Sequence, residues 1–181
     1  MTLPPAPIQI ALLALVAAAA LFDVRVRRTP NWLTVTGVVC GLALNCGLAG
    51  WSGLGSAALG LGLALLIYVP LFLLRAVGGG DVKLMAAVGA LVGPKNWLVL
   101  FLLASMLGGV LALLLAIWTG RLARTMHNVW SILRDVSQLR LPYETNPELD
   151  ATSGAGVALA HGAVIALGTL AYLILVRAYI D

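Results

Sequence analysis

The sequence carries little charge for its length. Only 10% of its 181 residues are Asp, Glu, Lys or Arg, whereas 61% are hydrophobic, and the mean hydropathy is +1.03. Soluble domains contain roughly 25% charged residues, so this composition excludes an ordinary soluble protein. We expect an all-α, polytopic membrane protein in which residues 1–181 form a single membrane-embedded domain.

Cysteine and histidine are also scarce. Cys40 and Cys46 lie in one apolar run and form no CxxC pair, which favours small buried apolar side chains over a disulfide or a zinc site. His127 and His161 have no second ligand at a spacing that would share a metal ion. The sequence therefore predicts no metal site and no cofactor.

Apolar runs account for most of the chain. Spanning a bilayer as a helix takes about 20 residues, and five runs are long enough. The fourth of six is short, because at about 1.5 Å per residue it covers only about half of the roughly 30 Å hydrocarbon core. Either its helix begins below the membrane surface, with the glycines before it in a recessed loop, or the bilayer is thinner there. The six runs are residues 3–22, 32–51, 54–74, 82–92, 97–118 and 155–176.

Basic residues are divided unequally between the loops. Nine of the eleven Lys and Arg residues fall in alternate loops, and only Lys95 and Arg177 fall in the others. Because basic loops stay in the cytoplasm, the sequence predicts about six transmembrane helices with both termini extracytoplasmic. Basic residues beside hydrophobic spans indicate how the protein is oriented in the membrane and do not indicate a nucleic-acid site. We therefore expect no nucleic-acid partner. The nine are Arg25, Arg27, Arg28, Arg75, Lys83, Arg121, Arg124, Arg134 and Arg140.

Residues 119–154 form the one long polar stretch. Within it, apolar residues recur at spacings of three and four, with arginines between them, which predicts an amphipathic helix lying at the cytoplasmic interface. Prolines and acids follow that helix and are typical of an exposed connection. The apolar residues are Leu122, Met126, Val129, Leu133 and Val136.

Two acids lie at the ends of predicted spans. Of the seven Asp and Glu residues, only Asp23 and Asp81 do so, and the predicted topology puts both on the cytoplasmic face. An ionised side chain at mid-bilayer costs at least roughly 2.5–3.5 kcal/mol, so an acid there indicates function. Two carboxylates held close share one proton, so one can act as acid and the other as base to activate water for peptide hydrolysis.

Other roles for these two acids remain open. Each could simply cap a helix end. Together they could bind a cation or relay protons in a small transporter, or belong to a non-catalytic membrane component. A relay would usually place its acids deeper within the spans, which favours the hydrolytic interpretation.

Three glycines, Gly78, Gly79 and Gly80, precede Asp81, and Lys83 follows it. Glycine permits tight turns and lets an extended substrate approach the backbone closely. If Gly79 adopts a positive φ, alanine there would add roughly 1–2 kcal/mol of strain. Lys83 could tune the pKa of Asp81, or its side chain could simply extend to the membrane interface. The stretch lacks the Gly-Lys-Ser/Thr ending of a nucleotide-binding loop.

Two segments resemble the type IV prepilin peptidases. Residues 22–31 resemble their first-aspartate segment and residues 78–84 resemble their GxGD segment. The resemblance implies a multi-pass protease of the bacterial inner membrane that removes the basic leader of prepilins at the cytoplasmic face, with Asp23 and Asp81 as catalytic dyad. The supporting residues that it implies are Gly78, Gly79, Gly80, Lys83, Arg27, Pro30 and Asn31.

The chain departs from the larger members of that family. They carry a cytoplasmic insert with paired CxxC motifs associated with methylating the new N-terminus, and this sequence has none. The resemblance is therefore to the short, tight-adherence (Flp) pilus type and implies no N-methyltransferase activity. Where the family usually opens its last span with a proline-tyrosine pair, this chain has Ala160 and His161 before Gly162. The implied partners are a prepilin leader, the lipid bilayer and pilus-assembly machinery.

Overall fold

A computed structural model describes residues 3–26, 28–138 and 161–180, and within these ranges the chain is helical with no β-strand. Four of the helices, α1, α2, α3 and α5, are long and apolar enough to cross a membrane. Within the described residues the expected all-α fold is confirmed, and the four long apolar helices are consistent with a membrane protein. The number of spans and the side on which the termini lie stay predictions. The helices are α1 (Ala6–Val26), α2 (Asn31–Leu73), α3 (Gly79–Trp118), α4 (Leu122–Ser137) and α5 (His161–Ile180).

Helices α2 and α3 each bend at a glycine. The bend in α2 lies at Gly50, with φ of 59°, and the bend in α3 lies at Gly93, with φ of 73°. Only glycine adopts such a φ without steric cost. The Trp97 indole N–H donates to the Met85 carbonyl at 3.0 Å, although these residues would lie about 18 Å apart along a straight helix. Helix α3 therefore folds back on itself and has two arms, residues 79–92 and 94–118.

The first arm of α3 is the centre of the fold. Val82 and every residue from Leu84 to Val92 are buried. An apolar helix that is buried on all sides packs against protein instead of lipid. Burial thus accounts for a run, residues 82–92, that is too short to match the thickness of a bilayer.

Glycines allow α2 to pack closely against this central arm. A Cβ at Gly41 would lie 2.7 Å from the Ala90 carbonyl carbon, and one at Gly60 would collide with the Gly89 carbonyl oxygen. Gly41 and Gly60 precede and follow the bend of α2, so both arms of α2 contact α3. Small residues at such contacts are what lipid-embedded helices use to approach one another.

Asn45 compensates for the hydrogen bonds that are lost at the bend of α3. Pro94 has no N–H to donate to the Ala90 carbonyl, and the non-helical φ of Gly93 interrupts the ladder beside it. The Asn45 side-chain amide donates to the carbonyls of Ala90 and Leu91 at 3.1 and 3.0 Å. Since lipid cannot satisfy a free carbonyl, this contact stabilises the bend.

One expectation is wrong, and others concern residues that the structure does not describe. Cys40 and Cys46 are free but exposed on the outer surface of α2, so the prediction that they are buried is wrong. Lipid solvates a small apolar side chain as well as a protein core does, and burial is therefore not required. Residues 139–160, which include the start of the predicted last span, and Arg27 lie outside the described residues.

Helix α4 lies within the predicted polar stretch, residues 119–154. Its apolar side chains Leu122, Met126, Val129 and Trp130 are exposed. No other described helix covers this face, as an interfacial helix requires. Its position at the membrane interface stays a prediction.

Replacing Asn45 by alanine should destabilise the fold. Two buried carbonyls would lose their donor, at a cost of about 1–3 kcal/mol. We expect the free energy of unfolding in detergent micelles to fall by that amount, while Cys46→Ala, an exposed neighbour, leaves it unchanged. Equal stability of the two variants would show that Asn45 does not support the bend.

Candidate active site

Asp23 and Asp81 lie at the same end of the helical bundle. Asp23 is in the last turn of α1 and Asp81 is in the first turn of α3. Asp81 interacts electrostatically with Asp23 and with His161, the first residue of α5. Both acids are partly exposed. The fold therefore brings together, at one accessible point, two carboxylates that no sequence periodicity could pair.

Asp81 is held by the start of its own helix. Gly78 is the N-cap of α3, and the Asp81 carboxylate accepts a hydrogen bond from the Gly78 backbone N–H. The Asp81 backbone N–H in turn donates to the Gly78 carbonyl at 3.1 Å. Asp81 at the third helical position supplies one half of a capping box, and glycine at the N-cap has no side chain to supply the other half. The simpler interpretation of Asp81 as the N-cap itself is therefore wrong, because Gly78 takes that position. The Asp81 carboxylate contacts the helix start from inside the first turn and also interacts electrostatically with Asp23.

Asp23 is held by a different helix. It lies at the carbonyl end of α1, where the helix dipole disfavours a negative charge. The backbone N–H of Gly162, in the first turn of α5, donates to Asp23 Oδ2 at 2.7 Å. The positive end of α5 therefore offsets the unfavourable position of Asp23 on α1.

The glycine run begins a helix instead of forming the recessed loop that was expected. Gly79 and Gly80 are the first residues of α3, and neither they nor Gly78 have a positive φ. A Cβ at Gly80 would lie 3.3 Å from the Thr29 side chain, and one at Gly79 would meet Phe72 at an ordinary 3.4 Å. The condition for backbone strain at Gly79, a positive φ, is therefore not met. The run lets the first turn of α3 pack closely on the connection between α1 and α2.

Lys83 and Asn31 contact each other. The Lys83 ammonium donates to Asn31 Oδ1 at 2.9 Å. Asn31 is the first residue of α2, and Pro30 is its N-cap, with φ of −63°. This contact ties the first turns of α2 and α3 together beside the two acids. Arg27 lies outside the described residues, so its place relative to the site stays a prediction.

Sequence reasoning missed the Tyr68 hydroxyl, as it missed the Gly162 N–H. Tyr68 is buried on α2 and interacts electrostatically with Asp81. Its ring packs edge-on against Trp97 and Phe101, with centroid distances of 6.3 and 5.9 Å. The only signal in the sequence is an isolated polar aromatic residue in an otherwise apolar run. With Tyr68, the site receives side chains or backbone groups from α1, α2, α3 and α5.

The described residues contain no group of three or more His, Cys, Asp or Glu side chains that could hold a metal ion. The chemistry that these residues offer is that of two neighbouring carboxyl groups, each with a backbone N–H donor. Such a pair can exchange protons with a water molecule between them.

Comparison with known proteins gives one finding. Residues 10–113 match the type IV leader peptidase family, and the match covers more than half of the chain. It includes both Asp23 and Asp81 and ends before α4 and α5. No curated protein and no solved structure matches the chain.

Gly79→Ala should be tolerated by the fold. Because Gly79 is helical and a Cβ there has room, alanine should leave the free energy of unfolding unchanged or raise it by up to about 1 kcal/mol. Gly60→Ala, whose Cβ would collide with the α3 backbone, should destabilise the protein strongly in the same detergent unfolding assay. A large loss of unfolding free energy in Gly79→Ala would contradict this and indicate that the backbone at residue 79 requires glycine.

Proposed function

The chain belongs to the type IV leader peptidase family, and we propose that it is an aspartyl endopeptidase that removes the basic leader of type IV prepilins. The proposed substrates are prepilins of the tight-adherence (Flp) type. One observation carries the proposal: Asp23 and Asp81 lie within the matched segment and are near enough to interact electrostatically.

The proposed reaction needs only water and the two carboxyl groups. In the proposed mechanism the two acids share one proton, so that one carboxyl group is ionised and the other is protonated. The ionised carboxylate takes a proton from water as the water oxygen bonds to the scissile carbonyl carbon. The protonated carboxyl group gives its proton to the carbonyl oxygen, and a tetrahedral diol forms.

Collapse of the diol restores the dyad. One hydroxyl of the diol returns its proton to the carboxylate that protonated the carbonyl oxygen. The C–N bond breaks, and the leaving nitrogen takes the proton that came from water. The products are a leader with a new carboxyl group and a pilin with a new amino group. We propose no N-methyltransferase activity, since the chain has no CxxC pair.

We further propose that the end of the bundle with Asp23 and Asp81 faces the cytoplasm of a bacterium. The bends of α2 and α3 would then give six crossings of the inner membrane, with both termini extracytoplasmic. Support comes from the exposed bases near this end, whereas Lys95 follows the bend of α3 and Arg177 ends α5. Arg28, Arg75, Lys83 and Arg121 are among the exposed bases.

Replacing either acid by its amide should abolish leader cleavage. A dyad with one ionisable member cannot supply both the acid and the base, so Asp23→Asn and Asp81→Asn should each lose at least about 100-fold in kcat. Asp135→Asn, on α4, is the matched control and should cleave like the wild type. The assay is mass spectrometry of a leader-bearing pilin after incubation with the purified protein.

Two results would contradict this assignment. Near-normal cleavage by either amide variant would remove that acid from the mechanism. A folded wild-type protein that leaves the precursor intact but conducts protons in liposomes would favour the relay alternative, in which the same acids carry protons.

The proposed topology predicts the labelling of single cysteines. With Cys40 and Cys46 replaced by alanine, cysteines at Arg75 and Arg121 should react only after the inner membrane is made permeable. A cysteine at Lys95 should react with the impermeant reagent in intact spheroplasts. If the cysteines introduced at Arg75 and Arg121 were labelled from opposite sides of the membrane, the six-crossing arrangement would be refuted.

A further inference from the structure

The first turn of α5 contacts Asp23 although it lies outside the segment that matches the family. The Gly162 N–H donates to Asp23 Oδ2 at 2.7 Å, across 139 positions of sequence. An N–H in the first turn of a helix has no partner within that helix, so this donor is free to bind the carboxylate. At this length the hydrogen bond has the geometry of one to a charged acceptor.

Packing at this point leaves little room for a side chain at residue 162. Gly162 is buried, and a Cβ there would lie 3.0 Å from Asp23 Cβ, 3.1 Å from Asp23 Oδ2 and 3.3 Å from the Ala19 carbonyl oxygen. A larger residue would push α5 away from α1 or turn the Asp23 carboxyl group. The short hydrogen bond to Asp23 therefore depends on the absence of a side chain at residue 162.

The hydrogen bond fixes which way Asp23 faces. Because Oδ2 is held by the Gly162 N–H, rotation of the Asp23 carboxyl group is restricted. The neighbouring residue His161 interacts electrostatically with Asp81. Two successive residues of α5 therefore contact the site, Gly162 at Asp23 and His161 at Asp81. Their contacts differ in kind, because Gly162 uses its backbone and His161 uses its side chain.

We propose that Gly162 is a positioning residue of the active site, whose backbone N–H orients Asp23 for proton transfer, so that α5 belongs to the catalytic machinery. This inference rests on the proposed peptidase function. It assigns a role to a residue beyond the matched segment, at the point where the chain lacks the family's usual proline-tyrosine pair.

Two changes at Gly162 separate the hydrogen bond from the packing. Gly162→Ala keeps the N–H but adds a Cβ that displaces Asp23. Replacing Gly162 by glycolic acid, through semisynthesis, exchanges the N–H for an ester oxygen and adds no atom. Since a displacement of about 1 Å can cost about 100-fold in rate, both should lower kcat for leader cleavage by about 10- to 100-fold, with KM changed less than about twofold.

Gly168→Ala is the matched control on the same helix. Its Cβ would come 2.6 Å from Ala104 Cβ, so it disturbs the packing of α5 about two turns from the dyad. If α5 acts only through packing, Gly168→Ala should lower kcat as much as the Gly162 changes do. If Gly162 positions Asp23, the control should retain most of the wild-type kcat.

An infrared measurement tests the contact without relying on cleavage. The carboxyl bands of Asp23, taken as the difference between the wild type and Asp23→Asn, should shift in the ester protein and stay in place in Gly168→Ala. Unshifted bands in the ester protein would overturn the proposal. Unchanged kcat in both Gly162 proteins would overturn the positioning role alone, whereas a wild type without cleavage would overturn the peptidase function and this role together.

Discussion

The structure depends on one constraint: backbone groups left open at helix ends and bends need partners, because the bilayer interior offers no water. At the bend of α3 the partner is the Asn45 amide. At the starts of α3 and α5 the partners are the carboxylates of Asp81 and Asp23. The same requirement that keeps the helices intact therefore brings two acids to one place and fixes their orientation.

Much of the helical layout could be predicted from the sequence, because apolar run length, basic loops and isolated acids are local signals. The contact between Gly162 and Asp23 could not, since it joins residues 139 positions apart through a backbone atom. Strain at Gly79 was expected only if that residue had a positive φ, and it has none, because the glycine run begins a helix. Among the described residues, positive φ angles occur at Gly50 and Gly93, where the helices bend, and at Arg75 and Gly120, between helices.

The site combines rigid support with access to water. The buried first arm of α3 carries Asp81, and the aromatic contact of Tyr68 with Trp97 and Phe101 borders that arm. Both acids nevertheless remain partly exposed, as a reaction that consumes water requires. In the proposed dyad each carboxyl group has a backbone donor at a helix end, and such fixed donors suit preorganised proton transfer.

The central claim is that Asp23 and Asp81 act as one catalytic unit, and a double-mutant cycle tests it most directly. The kcat of leader cleavage would be measured for the wild type, Asp23→Asn, Asp81→Asn and the protein with both changes. Residues that act as a unit are strongly non-additive, so the double variant should be no slower than the slower single variant. Losses that multiply would show two independent contributions and contradict a shared dyad.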